Sequence, residues 1–509
     1  MFIITDDMLP KMFNFLPEAQ GRYLTPNLDR LAAEGTVMMG QHVVSPVCTP
    51  SRYNCLTGEY ASRAQSQWFL NHLRDNGQTV VQWTTFIVSG QETLPRRLQR
   101  AGYVTGMVGK NHVIEVMGIN KPKWKDNPRD PEVLELLRKN AQLVEAAAKT
   151  AGFDYAESLY HNNPNHNGIE ALAVHNVDWI TKAGLDFIDQ NADRPFFLYF
   201  ATTLPHGPAD SPRSWNANPA ATAEGYLDQP LDVQPARETI PQRLAEAGLN
   251  PEHNVGNMLW LDDAVGALMD SLEAHSLDDN TIVVFFNDHG QTAKGTVYQG
   301  GVHNPSVVWR KGGFPSGGVN HAMVSNIDFA PTILDWVGVD YDEAAFDGRS
   351  FAPVLEGQSD EIHESLYFEM GYTRGVRKGD WKYLALRYPT HIANMTIEER
   401  QRRLDKFNND LAARGSKGWT TDPSAPFSHI QIVPGGGSAE RASIGKYPAY
   451  YEPDQLYNLA LDPNEQVNLA GNPEYAQQLV EMKAELKLYL NDLPGDFAEL
   501  ASPQIDSAE

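Results

Sequence analysis

Acidic residues directly follow two short apolar stretches of this chain. Asp6 and Asp7 come after FIIT (2–5), and Asp288 and His289 come after a run that ends in Phe-Phe-Asn. Three carboxylates at the carboxyl ends of strands suit a hard divalent cation, which prefers oxygen ligands. Taken alone, Asp6-Asp7 is more simply explained as a helix cap or a solvated turn, and an isolated Asp-His pair is weak evidence. Their common position after strands favours the metal site.

One of the two cysteines stands in the segment CTPSR (48–52). Thr49 can cap a helix that begins at Pro50, and the helix dipole would favour negative charge beside residue 48. An ordinary thiolate nucleophile fits poorly here, because nearby carboxylates raise the pKa of a thiol. The other cysteine, Cys55, is predicted to be a small buried apolar residue.

The elements that must position these groups are buried strands alternating with helices. The predicted strands are FIIT (2–5), YVTGMV (103–108), FFLYF (196–200) and TIVVFF (281–286), and the predicted helices cover 26–35, 177–190 and 258–275. This alternation predicts an α/β fold: a doubly wound, mostly parallel sheet sandwiched by helices. Ligands bind beyond the carboxyl ends of such strands, where Lys110, His112 and His206 also fall.

The pattern changes after about residue 360. Residues 365–386 read as short antiparallel strands with turns at Gly371 and Gly379-Asp380, and a helix is predicted over 476–493. We therefore predict an α/β catalytic domain over 1–360 and a smaller C-terminal α+β subdomain over 361–509. Long loops or insertions are predicted at 120–132, 207–255 and 415–448, the last within a wider insertion over 385–450.

Composition limits the possible partners. Lys and Arg total 41 against 65 Asp and Glu among 509 residues, and the net charge of −24 argues against nucleic acid and requires a locally basic pocket for any anionic ligand. Two cysteines exclude a disulfide framework. No apolar run approaches the roughly 18 residues of a membrane span, and no signal peptide follows Met1, so a soluble, untargeted chain is expected.

The segment CTPSR resembles the Cys-x-Pro-Ser-Arg signature of the type I, formylglycine-dependent sulfatases of the alkaline phosphatase superfamily. Seven further segments resemble motifs of that family in family order: TDD (5–7), TPNLDRLAAEG (25–35), GKNH (109–112), LPH (204–206), NDHG (287–290), KGTVYQGGVHNP (294–305) and DQLYNLALDPNEQVNLA (454–470). The resemblance covers nearly the whole chain. It implies that residues 1–360 form a sulfatase catalytic domain.

The resemblance also implies a mechanism. A separate formylglycine-generating enzyme would oxidise Cys48 to Cα-formylglycine, whose hydrate attacks sulfur and later expels sulfate. The expected cation is Ca²⁺, with ligands at Asp6, Asp7, Cys48, Asp288 and His289; many relatives have Asn at the last position, and histidine is a poorer calcium ligand. The other implied catalytic residues are Arg52, which orients the hydrate; Lys110 and Lys294, which hold sulfate oxygens; His112, a base; and His206, the acid that protonates the leaving oxygen.

Several questions stay open at this level. A sulfated carbohydrate is the preferred substrate, with Trp68, His161, Trp215 and Tyr298 as candidate sugar contacts. The alternatives are a phosphonate monoester or phosphodiester hydrolase, an arylsulfatase, and a catalytically silent sulfated-glycan-binding protein. His303 replaces an arginine found in many relatives and could alter the pocket wall. Localisation depends on whether a signal precedes this chain: periplasmic or secreted with one, otherwise cytoplasmic. The sequence does not predict an oligomeric state.

Overall fold

The computed structural model describes residues 1–500 except 20, 209–212, 252–253, 414, 416, 419, 426–427, 429–442, 444 and 498. Its strands are β1 Phe2–Asp6, β2 Thr36–Met38, β3 Gln41–His42, β4 Val104–Lys110, β5 Tyr155–Tyr160, β6 Phe196–Pro205, β7 Ala221–Thr222, β8 Gly225–Tyr226, β9 Val283–Asn287, β10 Ser306–Trp309, β11 Val319–Asn320, β12 Val324–Ser325, β13 Ser365–Met370, β14 Thr373–Lys378, β15 Trp381–Leu386 and β16 Asp454–Asn458.

The α-helices lie between these strands along the chain. They are α1 Pro26–Glu34, α2 Cys48–Thr57, α3 Gln67–Asn76, α4 Leu94–Arg100, α5 Pro131–Thr150, α6 Val177–Gln190, α7 Ile240–Glu246, α8 Val255–Ala274, α9 Gln299–Val302, α10 Phe329–Trp336, α11 Ala352–Leu355, α12 Thr390–Ala393, α13 Ile397–Ala413 and α14 Ala476–Leu490. None of these helices combines the length and apolar character needed to span a lipid bilayer.

The larger sheet has the strand order β11-β2-β10-β9-β1-β6-β4-β5. Strands β9, β1, β6, β4 and β5 are parallel, whereas β10 runs antiparallel to both β9 and β2. Phe2 pairs with Val284 on one side and Tyr199 on the other, so three neighbouring strands run in register. The prediction of a doubly wound, mostly parallel sheet is confirmed.

Side chains alternate between two cores, one on each face of this sheet, as the strand pleat requires. Phe2 and Ile4 belong to the core that includes apolar residues of α2, α4, α5 and α10, while Ile3 belongs to the core with α1, α6, α7 and α8. Phe286 and Phe285 divide between the two cores in the same way. The sheet is therefore covered by helices on both faces.

The strands that lead to the candidate site residues are longer at their carboxyl ends than the apolar patterns predicted. β4 runs to Lys110, β6 runs to Pro205 and β9 runs to Asn287. Strand β5 and the β10-β2-β11 side of the sheet were not predicted, because these strands are short or carry polar residues among the apolar ones. Helix α13 also lies in a region predicted to be an insertion.

The C-terminal sheet is an antiparallel meander of β13, β14, β15 and β16. Its two tight turns contain Gly371 and Gly379, which have φ values of 51° and 55°, as the turn prediction requires. Helix α14 contributes Leu479, Met482 and Leu486 to the core of this sheet. The predicted α+β character is confirmed, and the helix ends three residues before the predicted limit.

The predicted loop over 207–255 contains regular structure, and the one over 120–132 precedes a helix. Residues 207–255 hold the small β7–β8 hairpin and α7, and residues 120–132 lead into α5 as expected. Most of the predicted loop over 415–448 lies outside the described residues.

Candidate active site

The carboxyl ends of three adjacent strands bring the acidic residues together. Asp6 is the last residue of β1, and Asp288 directly follows β9, its parallel neighbour. The register of β1 against β6 is irregular between Ile4 and Asp6, where Asp6 pairs with Pro205. Asp7 has a φ of 65°, a left-handed conformation that turns the chain sharply at the end of the strand.

Helix α2 begins at Cys48, two residues earlier than predicted, with Val47 at the N-cap and no side-chain cap. Thr49 therefore does not cap the helix, and its buried hydroxyl has no hydrogen-bond partner. The helix is fixed to the end of β9 because Ser51 Oγ donates to the carbonyl of Asp288. Residue 48 is consequently held, buried, against the acidic strand ends.

Four of the five predicted metal ligands form one compact group. Asp7, Cys48, Asp288 and His289 each offer a ligand atom within 4.8 Å of the others. Asp6 is adjacent, with Oδ1 3.5 Å from Cys48 Sγ. The carboxylate oxygens fit a hard cation such as Ca²⁺, whereas the imidazole of His289 is the least suitable donor. The donor set therefore fits a divalent cation, with one unusual ligand.

Three cationic side chains contact the same carboxylates. Lys110 Nζ lies 2.6 Å from Asp6 Oδ2, and Arg52 Nη2 lies 3.2 Å from Asp288 Oδ2. Lys294 Nζ lies 2.6 Å from an oxygen of Asp7 and 3.7 Å from the sulfur of residue 48. Opposite charges thus surround residue 48, and the lysines offer positive charge for an anion brought there.

This environment changes the acidity of the central groups. Burial would raise the pKa of Asp6, but Lys110, His206 and Arg52 outweigh it and hold that pKa well below its usual value. Burial would lower the pKa of His289, but the charge of Asp288 raises it to about 10. Burial raises the pKa of the Cys48 thiol, which disfavours the thiolate.

The two predicted acid–base histidines follow the carboxyl ends of two neighbouring strands, β6 and β4. His206 follows β6, and its Nε2 lies 3.3 Å from Asp7 Oδ2. His112 follows β4 with a φ of 46°, and its buried Nδ1 has no hydrogen-bond partner. Burial, followed by the charge of Lys110, lowers the pKa of His112 well below its ordinary value, which favours the neutral form that can accept a proton.

A protein-family model described as Sulfatase matches residues 1–339, more than half of the 509 residues. The chain belongs to the sulfatase family. A second model, described as N-sulphoglucosamine sulphohydrolase, C-terminal, matches residues 287–396. The protein is therefore a sulfuric ester hydrolase of the alkaline phosphatase superfamily, as the sequence motifs implied, and calcium and formylglycine are typical of this family.

This sulfatase resembles several known proteins along most of its length. It is 24% identical over 529 residues to the ulvan-active sulfatase of Formosa agariphila, covering 99% of this chain and 76% of the relative. It is 26% identical over 523 residues to Homo sapiens arylsulfatase A, covering 94% and 87%. A solved structure described as a complex with its substrate D-glucosamine-2-N,6-O-disulfate shares 19% identity with a TM-score of 0.57, covering 97% and 98%, and shows the same fold.

Some residues that hold the sulfatase site were missed in the sequence. Asn287 Oδ1 accepts from Met8 N at 2.9 Å and so fixes the turn that carries Asp7. Tyr199 in β6 is buried beside Arg52, and its hydroxyl has no partner that meets hydrogen-bond geometry. Asn287 lies in the NDHG segment and could have been selected there, whereas Tyr199 is hidden in an apolar strand and gives no signal.

The structure places the predicted sugar contacts in different environments. Tyr298 is a core residue, because its ring stacks on Tyr447 at 3.7 Å and its hydroxyl donates to Gln455. That prediction is wrong. Trp68 is 61% exposed, and the backbone carbonyl of His161 accepts from the His112 backbone N–H at 3.1 Å.

Two further positions can be located. Trp215 is half-buried, and its indole ring lies against the backbone of Gly256. His303 contacts the Met39 carbonyl through Nε2 and pairs with the ring of His42. The described contacts of His303 are therefore with the β2–β3 region and do not include the acidic group around residue 48.

Proposed function

We propose that this sulfatase removes sulfate from a sulfated carbohydrate by means of a formylglycine formed from Cys48. The observation that carries the proposal is the position of residue 48 at the start of α2. Its Sγ lies 3.5 Å from Asp6 Oδ1, 3.6 Å from His289 Nε2 and 3.7 Å from Lys294 Nζ. Burial raises the pKa of the Cys48 thiol, which disfavours the nucleophilic thiolate here, whereas the hydroxyl of an aldehyde hydrate would be activated by a bound cation.

The cation of this site is proposed to be Ca²⁺. Asp6, Asp7, Asp288, His289 and residue 48 would hold it, since their donor atoms converge at the ends of β1 and β9 and the start of α2. When bound, it would act as a Lewis acid that favours the ionised form of the attacking hydroxyl. Arg52 would offset the charge of Asp6 and Asp288, which it contacts through Nη2.

The remaining side chains around residue 48 would bind sulfate or transfer protons. The formylglycine hydrate would supply one hydroxyl to attack sulfur and a second whose deprotonation expels sulfate and restores the aldehyde. Lys110 and Lys294 would bind sulfate oxygens as negative charge develops. His206 would give a proton to the leaving alcohol oxygen, and neutral His112 would accept a proton in the second step.

The carbohydrate part of the proposal is supported by two likenesses. The relative from Formosa agariphila is described as ulvan-active, and the structural neighbour is described with a glucosamine disulfate as its substrate. Arylsulfatase A is a similar relative, so an aryl sulfate is the second candidate substrate. A formylglycine-generating enzyme is the partner that maturation would require.

We also propose that the catalytic domain covers about residues 1–360 and the subdomain the rest. The large sheet ends with β11, and the first strand of the C-terminal sheet begins at Ser365. The second family match, over 287–396, crosses this boundary.

The decisive experiment measures kcat/KM for a panel of sulfated sugars, nitrophenyl sulfate and a phosphonate monoester on one preparation. Peptide mass spectrometry on the same preparation measures the fraction of residue 48 present as formylglycine. Sugar sulfates are expected to be turned over with the highest kcat/KM. Rapid phosphonate or aryl sulfate turnover without any desulfated saccharide would contradict the proposed substrate class.

A His206→Ala variant tests the role of the leaving group. A sugar alkoxide is far more basic than nitrophenolate and needs a general acid worth about 10²–10⁴-fold in rate. We expect kcat to fall by that factor on a sugar sulfate and by much less on nitrophenyl sulfate. Equal losses on both substrates would remove His206 from the acid role.

A further inference from the structure

A second group of basic side chains lies next to the site described above. Lys121, His161 and His166 line one small cleft, together with the amides of Asn140 and Asn167. Lys121 and His166 are exposed to solvent and His161 is half-buried. Apolar side chains of α5, β5 and neighbouring loops complete the lining, and we refer to this cleft as the basic cleft.

The basic side chains of this cleft have no acidic partner. Within the described residues, the side chains of Lys121, His161 and His166 make no ion pair or hydrogen bond, although acidic residues outnumber basic ones by 65 to 41. Nearby Lys125, by contrast, forms an ion pair with Glu170. In the described part of the chain, Lys121 is therefore a positive charge without an acidic partner, beside two imidazoles whose nitrogens are free to form hydrogen bonds with a ligand.

The charged groups that act on the two histidines of the cleft have the same sign. Burial, followed by the charges of Lys121, Lys110 and two other histidines, lowers the pKa of His166. Burial and then Lys121 lower the pKa of His161. The lysine charges that act on these rings are positive, so an anion placed between the rings would be attracted by Lys121 and by Lys110.

The cleft lies near the candidate active site, because the charges of Lys110 and His206 act on His166. Strand β4 ends at Lys110 beside the end of β5, where Asn111 N donates to the carbonyl of Tyr160 at 2.9 Å. One residue further on, the backbone N–H of His112 donates to the carbonyl of His161 at 3.1 Å. The basic cleft thus begins where the strand that carries Lys110 ends.

We propose that the basic cleft binds a second oxyanion of the substrate, a carboxylate or another sulfate, while the sulfate to be removed lies at residue 48. This inference rests on the proposed function and specifies its substrate as a carbohydrate with at least two negative groups. The cavity volume of about 30 Å³ admits one charged group and excludes a sugar ring. The ammonium of Lys121 and the imidazoles can donate charge-assisted or ordinary hydrogen bonds to such a group.

The test compares Lys121→Ala and His166→Ala with the parent enzyme on three kinds of substrate: a monosulfated sugar, a disulfated glucosamine and a sulfated disaccharide that contains a uronate. Both variants are expected to raise KM roughly tenfold on a substrate with a second anion, with kcat little changed. KM for the monosulfated sugar and for nitrophenyl sulfate should not change. The disulfated and uronate substrates distinguish which oxyanion the cleft prefers.

Matched variants separate the cleft from general surface charge. Lys125→Ala removes a lysine four residues away and should leave every KM unchanged, whereas Lys121→Arg keeps the charge and should retain most of the affinity. Thermal unfolding of each variant checks that the exposed substitutions leave the fold intact. Equal KM changes for monosulfated and disulfated sugars, or a similar effect of Lys125→Ala, would overturn the proposal.

A binding measurement keeps the cleft testable without turnover. Calorimetry with Cys48→Ala protein compares the Kd of the disulfated glucosamine with that of the monosulfated sugar, and Lys121→Ala should abolish the difference. If that difference is present while the parent desulfates no saccharide, the proposed function fails and the cleft stands. If saccharides are desulfated but Lys121 has no effect on either Kd, the cleft fails alone.

Discussion

Two of the regions in which this protein buries charge are built differently. In the catalytic cluster around residue 48, three carboxylates face Arg52, Lys110 and Lys294, and buried polar atoms of Arg52, Thr49 and His112 lack hydrogen-bond partners. At the C-terminal sheet, Lys382 Nζ lies 2.7 Å from Glu465 Oε1, and both side chains are fully buried.

Both members of the Lys382–Glu465 pair also contact Gln299. Glu465 Oε2 accepts from the backbone N–H of Gln299 at 2.5 Å, and Lys382 donates to Gln299 Oε1 at 3.3 Å. The pair therefore joins the second sheet to the segment that carries Lys294. This pair of opposite charges holds two segments together, whereas the catalytic cluster gathers three carboxylates and three cations around residue 48, where a ligand would bind.

The largest effect should come from the centre of the catalytic cluster. Cys48→Ala removes the residue proposed to become formylglycine, so turnover should fall below detection while the free energy of unfolding changes little. Cys55→Ala is the matched control: it removes a buried cysteine seven residues away and should lower stability modestly without loss of kcat. Full activity in protein whose residue 48 is entirely thiol would contradict the role of residue 48.

Removal of the cation should have the next largest effect. Three convergent carboxylates repel one another without a bound ion, so a calcium chelator is expected to abolish activity and lower Tm, and Ca²⁺ should restore both. Ca²⁺ at about 100 times its Kd would contribute about 2.7 kcal/mol of stability.

The control for the calcium experiment is Asp6→Asn. This variant should be inactive, and its Tm should respond little to chelator or to Ca²⁺. A chelator effect on Tm that is the same in the parent and in Asp6→Asn would show that the ion acts elsewhere in the molecule.

The two regions also differ in what the sequence could predict. The catalytic cluster was accessible because its residues follow apolar strands whose carboxyl ends must meet at one edge of a parallel sheet. The start of α2 was misplaced because Thr49-Pro50 is a strong local cap signal, yet Val47 and the packing against β9 decide where the helix begins. The local signal was overridden by tertiary contacts.

The Lys382–Glu465 pair could not be predicted in this way. Lys382 lies in a strand of alternating pattern that would also suit solvent exposure, and Glu465 lies 83 positions away in a turn with a φ of 55°. The same difficulty explains Tyr298, which looked suited to a sugar but stacks on Tyr447 from a distant segment. Contacts between remote segments depend on how the second sheet packs, which no local pattern encodes.

A smaller effect on activity, but a large one on stability, is expected from Glu465→Gln. Removing one partner of a buried ion pair leaves Lys382 buried without its counter-charge, which costs about 3–5 kcal/mol of unfolding free energy. Since the glutamine can still accept from Gln299, kcat/KM at low temperature should fall by less than in either catalytic-cluster variant. Urea unfolding and steady-state kinetics on the same protein measure the two effects. A loss of kcat as complete as that of Cys48→Ala would mean that the pair belongs to the catalytic cluster.

The last expected effect, and the smallest on activity, is a pH dependence of stability that comes from Lys382 in the second region. Burial lowers the pKa of Lys382 from 10.5 to about 8, against the opposing attraction of Glu465 and with further lowering by Arg377. Between these two pH values the unfolded chain binds more protons at this lysine than the folded chain. The unfolding free energy contributed by Lys382 should therefore rise with pH from 8 to 10.5, by up to about 1.4 kcal/mol per pH unit.

The double variant Lys382→Met/Glu465→Gln isolates this contribution, because every other titrating group is common to both proteins. The difference in unfolding free energy between parent and double variant, measured in urea from pH 7 to 10.5, should shift in favour of the parent above pH 8. At pH 7 the double variant should be about as stable as the parent, since replacing both partners of a buried pair is often neutral. A difference that stays constant across the whole range would mean that Lys382 keeps its proton in the folded protein, and that the Lys382–Glu465 pair is tighter than its burial indicates.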